Sequence, residues 1–122
     1  MSTLRVNSLL NAAGTDTPAI DGLAKAWVNF NGTGTVAIRE SFNVSSITDN
    51  GTGDYTVNFT TALSDANYSA VSTIGYLSES SYGFVQMPWS TAPTTTAIRM
   101  ACLNYNSGVA YDHLYVSVAV FR

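Results

Sequence analysis

Eight carboxylates, one histidine and one cysteine are the side chains with which this chain could do acid–base, nucleophilic or metal chemistry. The carboxylates are Asp16, Asp21, Glu40, Asp49, Asp54, Asp65, Glu79 and Asp112. Hydrolysis of a glycan would need two of them about 5 to 10 Å apart in a groove. Most of them fall in predicted turns, where an aspartate ordinarily caps the backbone. We therefore expect that the protein is not an enzyme.

Glu40 is the exception among these acids, because it lies in the middle of a predicted strand. It shares one strand face with Ile38 and Phe42, so we expect a half-buried carboxylate. Such an acid needs a partner, either Arg39, Arg99 or a polar group of a neighbouring subunit.

The single histidine and the single cysteine limit metal and redox chemistry. His113 alone cannot supply a His-rich zinc site or a two-histidine metal site within one chain. Three copies around a threefold axis could bring three His113 rings together, but the neighbouring Tyr111 and Asp112 indicate a loop edge instead. Cys102 has no intrachain disulfide partner, and its apolar neighbours predict a buried thiol. We predict no metal and no cofactor.

The second half of the chain carries side chains suited to recognition. Aromatic residues are interleaved there with Ser, Asn, Gln and acidic residues. Aromatic rings give large contact area at low entropic cost, and they stack on sugar rings or pack on protein loops. On strands, however, such rings are first of all core or interface residues. The candidate binding residues are therefore those near predicted loops, namely Glu79, Tyr82, Trp89, Asn106, Tyr111 and Asp112.

Short antiparallel strands are the elements predicted to position these residues. In residues 26 to 63, apolar side chains alternate with polar ones at the period of a strand, as in Tyr55, Val57 and Phe59. The intervening DNGTGD predicts a hairpin, because Asn50-Gly51 tolerates the positive φ of a tight turn. The final HLYVSVAVFR is so apolar that we expect it in the centre of a sheet or in a subunit interface.

Eight or nine such strands with no amphipathic helix predict an all-β fold, an antiparallel β-sandwich that is jelly-roll-like. Residues 25–122 would form this domain. Residues 1–24 would be a separate N-terminal segment without a long regular element, because NAAGTDTPAIDG is rich in turn formers.

Composition restricts the possible partners. Charged residues make up 11% of the 122 residues, against about 25% in an average soluble protein, so we expect part of the exterior to be covered by copies of the chain. The net charge of −3, with five Lys or Arg, argues against nucleic acid. The longest apolar runs are far shorter than the roughly 20 residues of a transmembrane helix, which predicts no membrane insertion.

One stretch resembles a known family. The string KAWVNFNGTGTVAIRESFNVSSITDNGTGDYTVNFTTALSDANYS, residues 25 to 69, closely resembles a module of predicted tail fibre or tail-tip proteins of bacteriophages and prophages. The opening STLRVNSLLNAAGT resembles the short stem that often precedes it. This resemblance implies a homotrimer in the tail of the virion. Because MSTLRVNSLL lacks the apolar stretch of a secretory signal, we expect synthesis and folding in the host cytoplasm.

The resemblance also suggests what each end of the chain contacts. The N-terminal segment is expected to dock onto tail baseplate proteins or sister chains through Leu4, Val6, Leu9 and Leu10. The C-terminal half is expected to bind a receptor, a host surface polysaccharide or an outer-surface protein. One alternative is a structural baseplate or decoration protein without receptor binding. Another is a secreted lectin-like module.

Overall fold

The structure, a computed structural model, describes residues 23–75 and 82–122. These residues form eight strands and no helix, and thus contain no helix that could cross a membrane. The strands are β1 Ala24–Asn31, β2 Ala37–Phe42, β3 Val44–Gly51, β4 Asp54–Phe59, β5 Ser69–Gly75, β6 Gly83–Gln86, β7 Ala97–Asn104 and β8 Tyr115–Phe121.

The strands form two antiparallel four-stranded sheets that pack face to face. Sheet I has the order β2-β1-β8-β5, and sheet II has the order β3-β4-β7-β6. Three connections join neighbours within a sheet, β1 to β2, β3 to β4 and β6 to β7, while the other four cross between the sheets. The predicted all-β sandwich is confirmed.

The core lies between the sheets and follows from the period of two along each strand. On the central strands, alternate residues are buried, and their neighbours face outward. The buried residues are Ala26, Val28, Phe30, Val44, Tyr55, Val57, Phe59, Ile98, Met100, Cys102, Val116, Val118 and Val120. Burial raises the pKa of the Cys102 thiol to about 12, so this side chain is the buried, unreactive one that was predicted.

The last strand occupies the position expected from its apolar sequence. β8 pairs with β1 on one side and with β5 on the other, so all of its backbone can be hydrogen-bonded within sheet I. Val116, Val118 and Val120 point into the core, and Ser117 and Ala119 point outward.

The predicted hairpin is confirmed, but its turn lies two residues further along. β3 pairs with β4, and Thr52 and Gly53 form the connection. Gly51 and Gly53 have positive φ angles of 133° and 64°, whereas Asn50 does not have one. The Asn50 side chain instead donates to Thr56 Oγ1 over 2.9 Å. The glycines therefore take the left-handed conformations that glycine adopts without strain.

The expectation for Glu40 was wrong. A β-bulge between β1 and β2 shifts the register beside Asn29, and β2 is the edge strand of sheet I, so Glu40 is exposed. Its carboxylate accepts the N–H of Ser41. Neither expected cation pairs with it, because Arg39 donates to Asn29 Oδ1 and Arg99 binds Asp54.

Candidate functional site

The loops at one end of the sandwich hold most of the predicted binding residues. We call this end, made of residues 32–36, 52–53, 82 and 105–114, the loop end. The connection into β6 and the connection out of β7 meet there, because the Tyr105 N–H donates to the carbonyl of Tyr82 over 2.8 Å. Ala110 forms a bridge with Leu103 on the opposite side of β7. Three chain segments therefore run side by side at this end.

The tip of the β7–β8 loop is internally hydrogen-bonded. The side-chain Oδ1 of Asn104 accepts the N–H groups of Asn106 and Ser107 over 2.9 and 3.1 Å. The N–H of Gly108, whose φ is 66°, donates to the Asn104 carbonyl over 2.8 Å. These bonds preorganise the loop, which lowers the entropy that a binding partner would have to remove.

Asp112 ties this loop to the body of the sandwich. Its half-buried carboxylate Oδ1 accepts the Gly53 N–H over 2.7 Å and lies 2.7 Å from the Tyr55 hydroxyl. That hydroxyl is also 2.9 Å from the carbonyl oxygen of Gly32. Burial, followed by the neighbouring Asp112 carboxylate, raises the pKa of Tyr55, so its hydroxyl stays protonated as a donor. Asp112 was predicted as a polar contact for the receptor, and the structure gives it a supporting position beneath the loops.

Exposed tyrosines dominate the surface above that support. Tyr82 is 70% exposed and Tyr105 is 74% exposed, although both are rich in apolar atoms. Tyr111 is about half exposed on the far side of β7. We call these three residues the tyrosine patch. Asn106 is exposed beside them. Among the described residues of the loop end, Asp112 alone carries a formal charge, so the patch is neutral, aromatic and rich in hydroxyl groups.

The other predicted site residues lie elsewhere. Trp89 follows β6 and is 98% exposed, but it lies on the connection that runs away from the loop end towards the start of β7. Glu79 lies outside the described residues, as do all four predicted tail-attachment residues, Leu4, Val6, Leu9 and Leu10. The structure therefore places Tyr82, Asn106, Tyr111 and Asp112 at the same end of the sandwich.

Sequence reasoning missed Tyr105 and Val109 as members of this surface. The alternating pattern of TAIRMACLNY predicts a strand that includes Tyr105, but β7 ends at Asn104 and the chain turns there. The signal was present in NYNSG, since an asparagine before a serine and a glycine is typical of a side-chain-capped turn. Val109 is half exposed at the same tip, and no comparable signal marks it.

His113 lies in the loop between β7 and β8, as expected, but its side chain is buried and not at an exposed edge. Its ring is 3% exposed, and its Nε2 atom has no hydrogen-bond partner. A ring enclosed within one sandwich cannot meet the rings of other copies, so His113 cannot form an axial metal site in this fold. Elsewhere in residues 23–75 and 82–122, no group of three or more His, Cys, Asp or Glu side chains could hold a metal ion.

Burial of His113 predicts a loss of stability in mild acid. Desolvation lowers the pKa of the ring below its ordinary value of 6.5, although nearby Asp112 opposes this shift. The unfolded chain therefore binds the proton more readily, and stability should be complete above pH 6.5 and fall as the pH drops below it. Urea unfolding at a series of pH values checks this prediction. His113→Phe should flatten the dependence just below pH 6.5, and an unchanged slope there would contradict the prediction.

Two other carboxylates are held in ion pairs. Asp54 binds the Arg99 guanidinium through both oxygens, over 2.8 and 2.6 Å, and this hydrogen bonding lowers the pKa of Asp54. Asp65 binds Arg122 in the same two-pronged way, which also lowers the pKa of Asp65. Both aspartates thus stay charged near neutrality, as pairs that brace the structure and not as proton donors.

A crevice of about 210 Å³ opens between the sheets beside β5 and β6. It is floored by the core side chains of Ile98, Met100 and Val118, and its described lining contains no carboxylate, histidine or cysteine. Its lining includes the hydroxyl groups of Ser72 and Tyr68, and the Tyr68 hydroxyl lies 3.1 Å from the carbonyl oxygens of Thr94 and Ala97.

No protein-family model matches the chain, and no curated protein and no solved structure matches it either.

Proposed function

We propose that the chain is a tail fibre or tail-tip protein of a bacteriophage or prophage that binds a host surface receptor through its loop end. The observation that carries the proposal is the tyrosine patch. Three exposed rings lie on adjacent, internally hydrogen-bonded segments at one end of the sandwich. Exposed rings of this kind are costly to leave in water and effective in recognition. The resemblance of residues 25 to 69 to the phage module suggests that the binding partner is a receptor on the host surface.

The rest of the proposal concerns assembly. The protein would be a homotrimer in the virion tail, made in the host cytoplasm and attached to baseplate proteins through the N-terminal segment with Leu4, Val6, Leu9 and Leu10. It would bind without catalysis, since the described carboxylates lie in turns, ion pairs or exposed positions. No metal or cofactor is required.

The chemistry of the patch suits two receptor classes. Tyrosine rings with neighbouring Asn106 can stack on the apolar faces of sugar rings and hydrogen-bond to their hydroxyl groups. The same side chains can pack against the loops of an outer-surface protein. The patch carries no cation for a phosphate-bearing glycan, so a neutral polysaccharide fits it better than a charged one.

A structural baseplate or decoration protein is the main rival. The exposed apolar side chains of Trp27, Phe42 and Val71 on the outer face of sheet I favour it, because such side chains are suited to contacts inside an assembly. This rival needs no exposed binding end, and it leaves the tyrosine patch without a role.

Binding to cells separates the two functions. The purified chain, labelled with a fluorophore, is titrated onto cells of the bacterium that the encoding phage infects. We expect saturable binding that excess unlabelled chain displaces. Absence of binding at any concentration, with the chain present in purified tails, would support the structural rival. Binding to unrelated cells as well would favour a general lectin-like module.

A further inference from the structure

The two outer faces of the sandwich differ in chemistry. The outer face of sheet II is a network of polar side chains that bond one another across the strands. Asn58 Nδ2 donates to Thr48 Oγ1 over 2.9 Å and to Ser46 Oγ over 3.1 Å. Asn50 donates to Thr56, and the Asp54 ion pair continues the network onto β7. Such a face is suited to water.

The outer face of sheet I carries one apolar row across all four strands. This row runs from edge to edge, because Phe42 pairs with Trp27, Trp27 with Ala119, and Ala119 with Val71. The row beside it is polar and consists of Glu40, Asn29, Ser117 and Thr73. Phe42 and Val71 are 56% and 57% exposed, and Trp27 is more than a third exposed. Phe121 adds a further exposed ring at the end of β8. No member of the apolar row is charged or hydrogen-bonded through its side chain.

The outer face of sheet I carries both a groove and a projecting aromatic ring that could fill the groove of another copy. Ser117 and Ala119 on β8 form the floor of a groove of about 380 Å³, and Trp27 and Val71 form its walls. Phe42 projects from edge strand β2, on the other side of Trp27 from the groove. The same face therefore offers a projecting ring and a recess that can admit a ring.

We propose that the outer face of sheet I is the contact between copies of this chain, with Phe42 of one copy lying in the groove over Ala119 of the next. Such a contact is either reciprocal about a twofold axis or repeated head to tail around a ring, and the trimer of the proposed function selects the head-to-tail form. Head-to-tail contacts close into a ring when the rotation between copies permits it. The inference takes the number of copies from the proposed function, whereas the choice of contact face rests on the structure.

The size of the face is consistent with a stable contact. Four strands about 4.8 Å apart, each rising about 3.3 Å per residue, give roughly 400 Å² of flat area. This flat area is about half of the roughly 800 Å² that each partner buries in a standard interface, and the protruding rings add to it. A second copy is the fitting occupant, because one face carries both complementary shapes and the row between them lacks charge.

Two alanines provide a matched test. Ala119 faces outward from the central strand of sheet I, and Ala101 faces outward from the central strand of sheet II, each half-buried. Sedimentation velocity should show that the wild type is an oligomer at micromolar concentration. Ala119→Lys should weaken self-association at least about 100-fold, since it places an unpaired charge in the contact. Ala101→Lys should leave the oligomer unchanged.

A second variant keeps the test decisive if Ala119→Lys fails to fold. Phe42 is exposed on an edge strand, so Phe42→Asp should keep the strand signature in circular dichroism and still dissociate the oligomer. A monomeric wild type would overturn the inference, as would oligomers that survive both substitutions or dissociate with Ala101→Lys. Cell binding by a monomeric wild type would leave the proposed function standing while the contact fails. A wild-type oligomer that the substitutions dissociate as predicted, but that does not bind cells, would support the contact while the proposed function fails.

Discussion

Replacing Gly53 with alanine should destabilise the protein by about 3 kcal/mol or more, the largest stability effect that we expect from a single substitution. A Cβ atom at this position would lie 2.6 Å from the Cys102 carbonyl oxygen and 2.7 Å from the Tyr111 nitrogen. Both are backbone atoms of segments that hold the loop end together, so neither can move aside cheaply. The φ of 64° adds the strain of a left-handed conformation. Urea unfolding followed by tryptophan fluorescence measures the loss.

Gly34 supplies the control for this substitution. Its φ of 61° is nearly the same, but nothing lies within 4 Å of a Cβ atom built there. Gly34→Ala should therefore cost only the conformational term, about 1 to 2 kcal/mol. The difference between the two variants isolates the steric role of Gly53. Equal losses would show that the turn does not pack against Tyr111 as the structure describes.

Truncating the tyrosine patch should strongly weaken receptor binding. The triple variant Tyr82→Ala, Tyr105→Ala and Tyr111→Ala removes the three exposed rings of the loop end, and binding to host cells should weaken by about 100-fold or more. The fold should survive, because all three side chains are about half or more exposed and none of them belongs to the core. Fluorescence titration of cells measures the affinity, and circular dichroism checks the fold.

Trp89 is the matched aromatic control. Its ring is the most exposed large apolar side chain among the described residues, yet it lies away from the loop end. Trp89→Ala should leave cell binding within about twofold of the wild type. If this substitution weakens binding while the triple variant does not, the receptor surface is the connection between β6 and β7, as the sequence alone allowed, and the assignment of the loop end is wrong.

The strands could be predicted from sequence because local periodicity determines which face of a strand is buried. Tyr55, Val57 and Phe59 alternate with polar residues, and all three are buried as their spacing predicts. The same logic placed the apolar β8 in the centre of its sheet. Both predictions succeed for the same reason, since successive side chains of a strand point to opposite faces and only one face is buried.

The failures arise where the environment is set by distant residues. Glu40 obeys the same alternation, but it lies on an edge strand with a bulge, and neither the edge nor the bulge leaves a signal in its neighbours. His113 follows a turn sequence and is nevertheless buried, because β6 passes close by and Gly83 leaves room for the ring. Asp112 lies in a loop as predicted, and only its partners, which come nearly sixty residues earlier in the chain, were beyond prediction.

The residue types of the candidate site could be predicted from the sequence, but the grouping of those residues at one end of the sandwich could not. Aromatic and polar residues in the second half of the chain indicated recognition, and Tyr82 and Tyr111 were chosen correctly as exposed loop residues. Which of them share one end depends on the order of strands in sheet II, which brings the two connections together on either side of β7. Periodicity within a strand does not specify this order.

The claim that the loop end meets a host surface is tested most directly by competition for adsorption. The rate at which the encoding phage adsorbs to its host is measured in the presence of saturating purified chain. We predict that the wild-type chain slows adsorption strongly and that the triple tyrosine variant does not. An adsorption rate unaffected by a folded wild-type chain, in a phage whose tail contains that chain, would contradict the account.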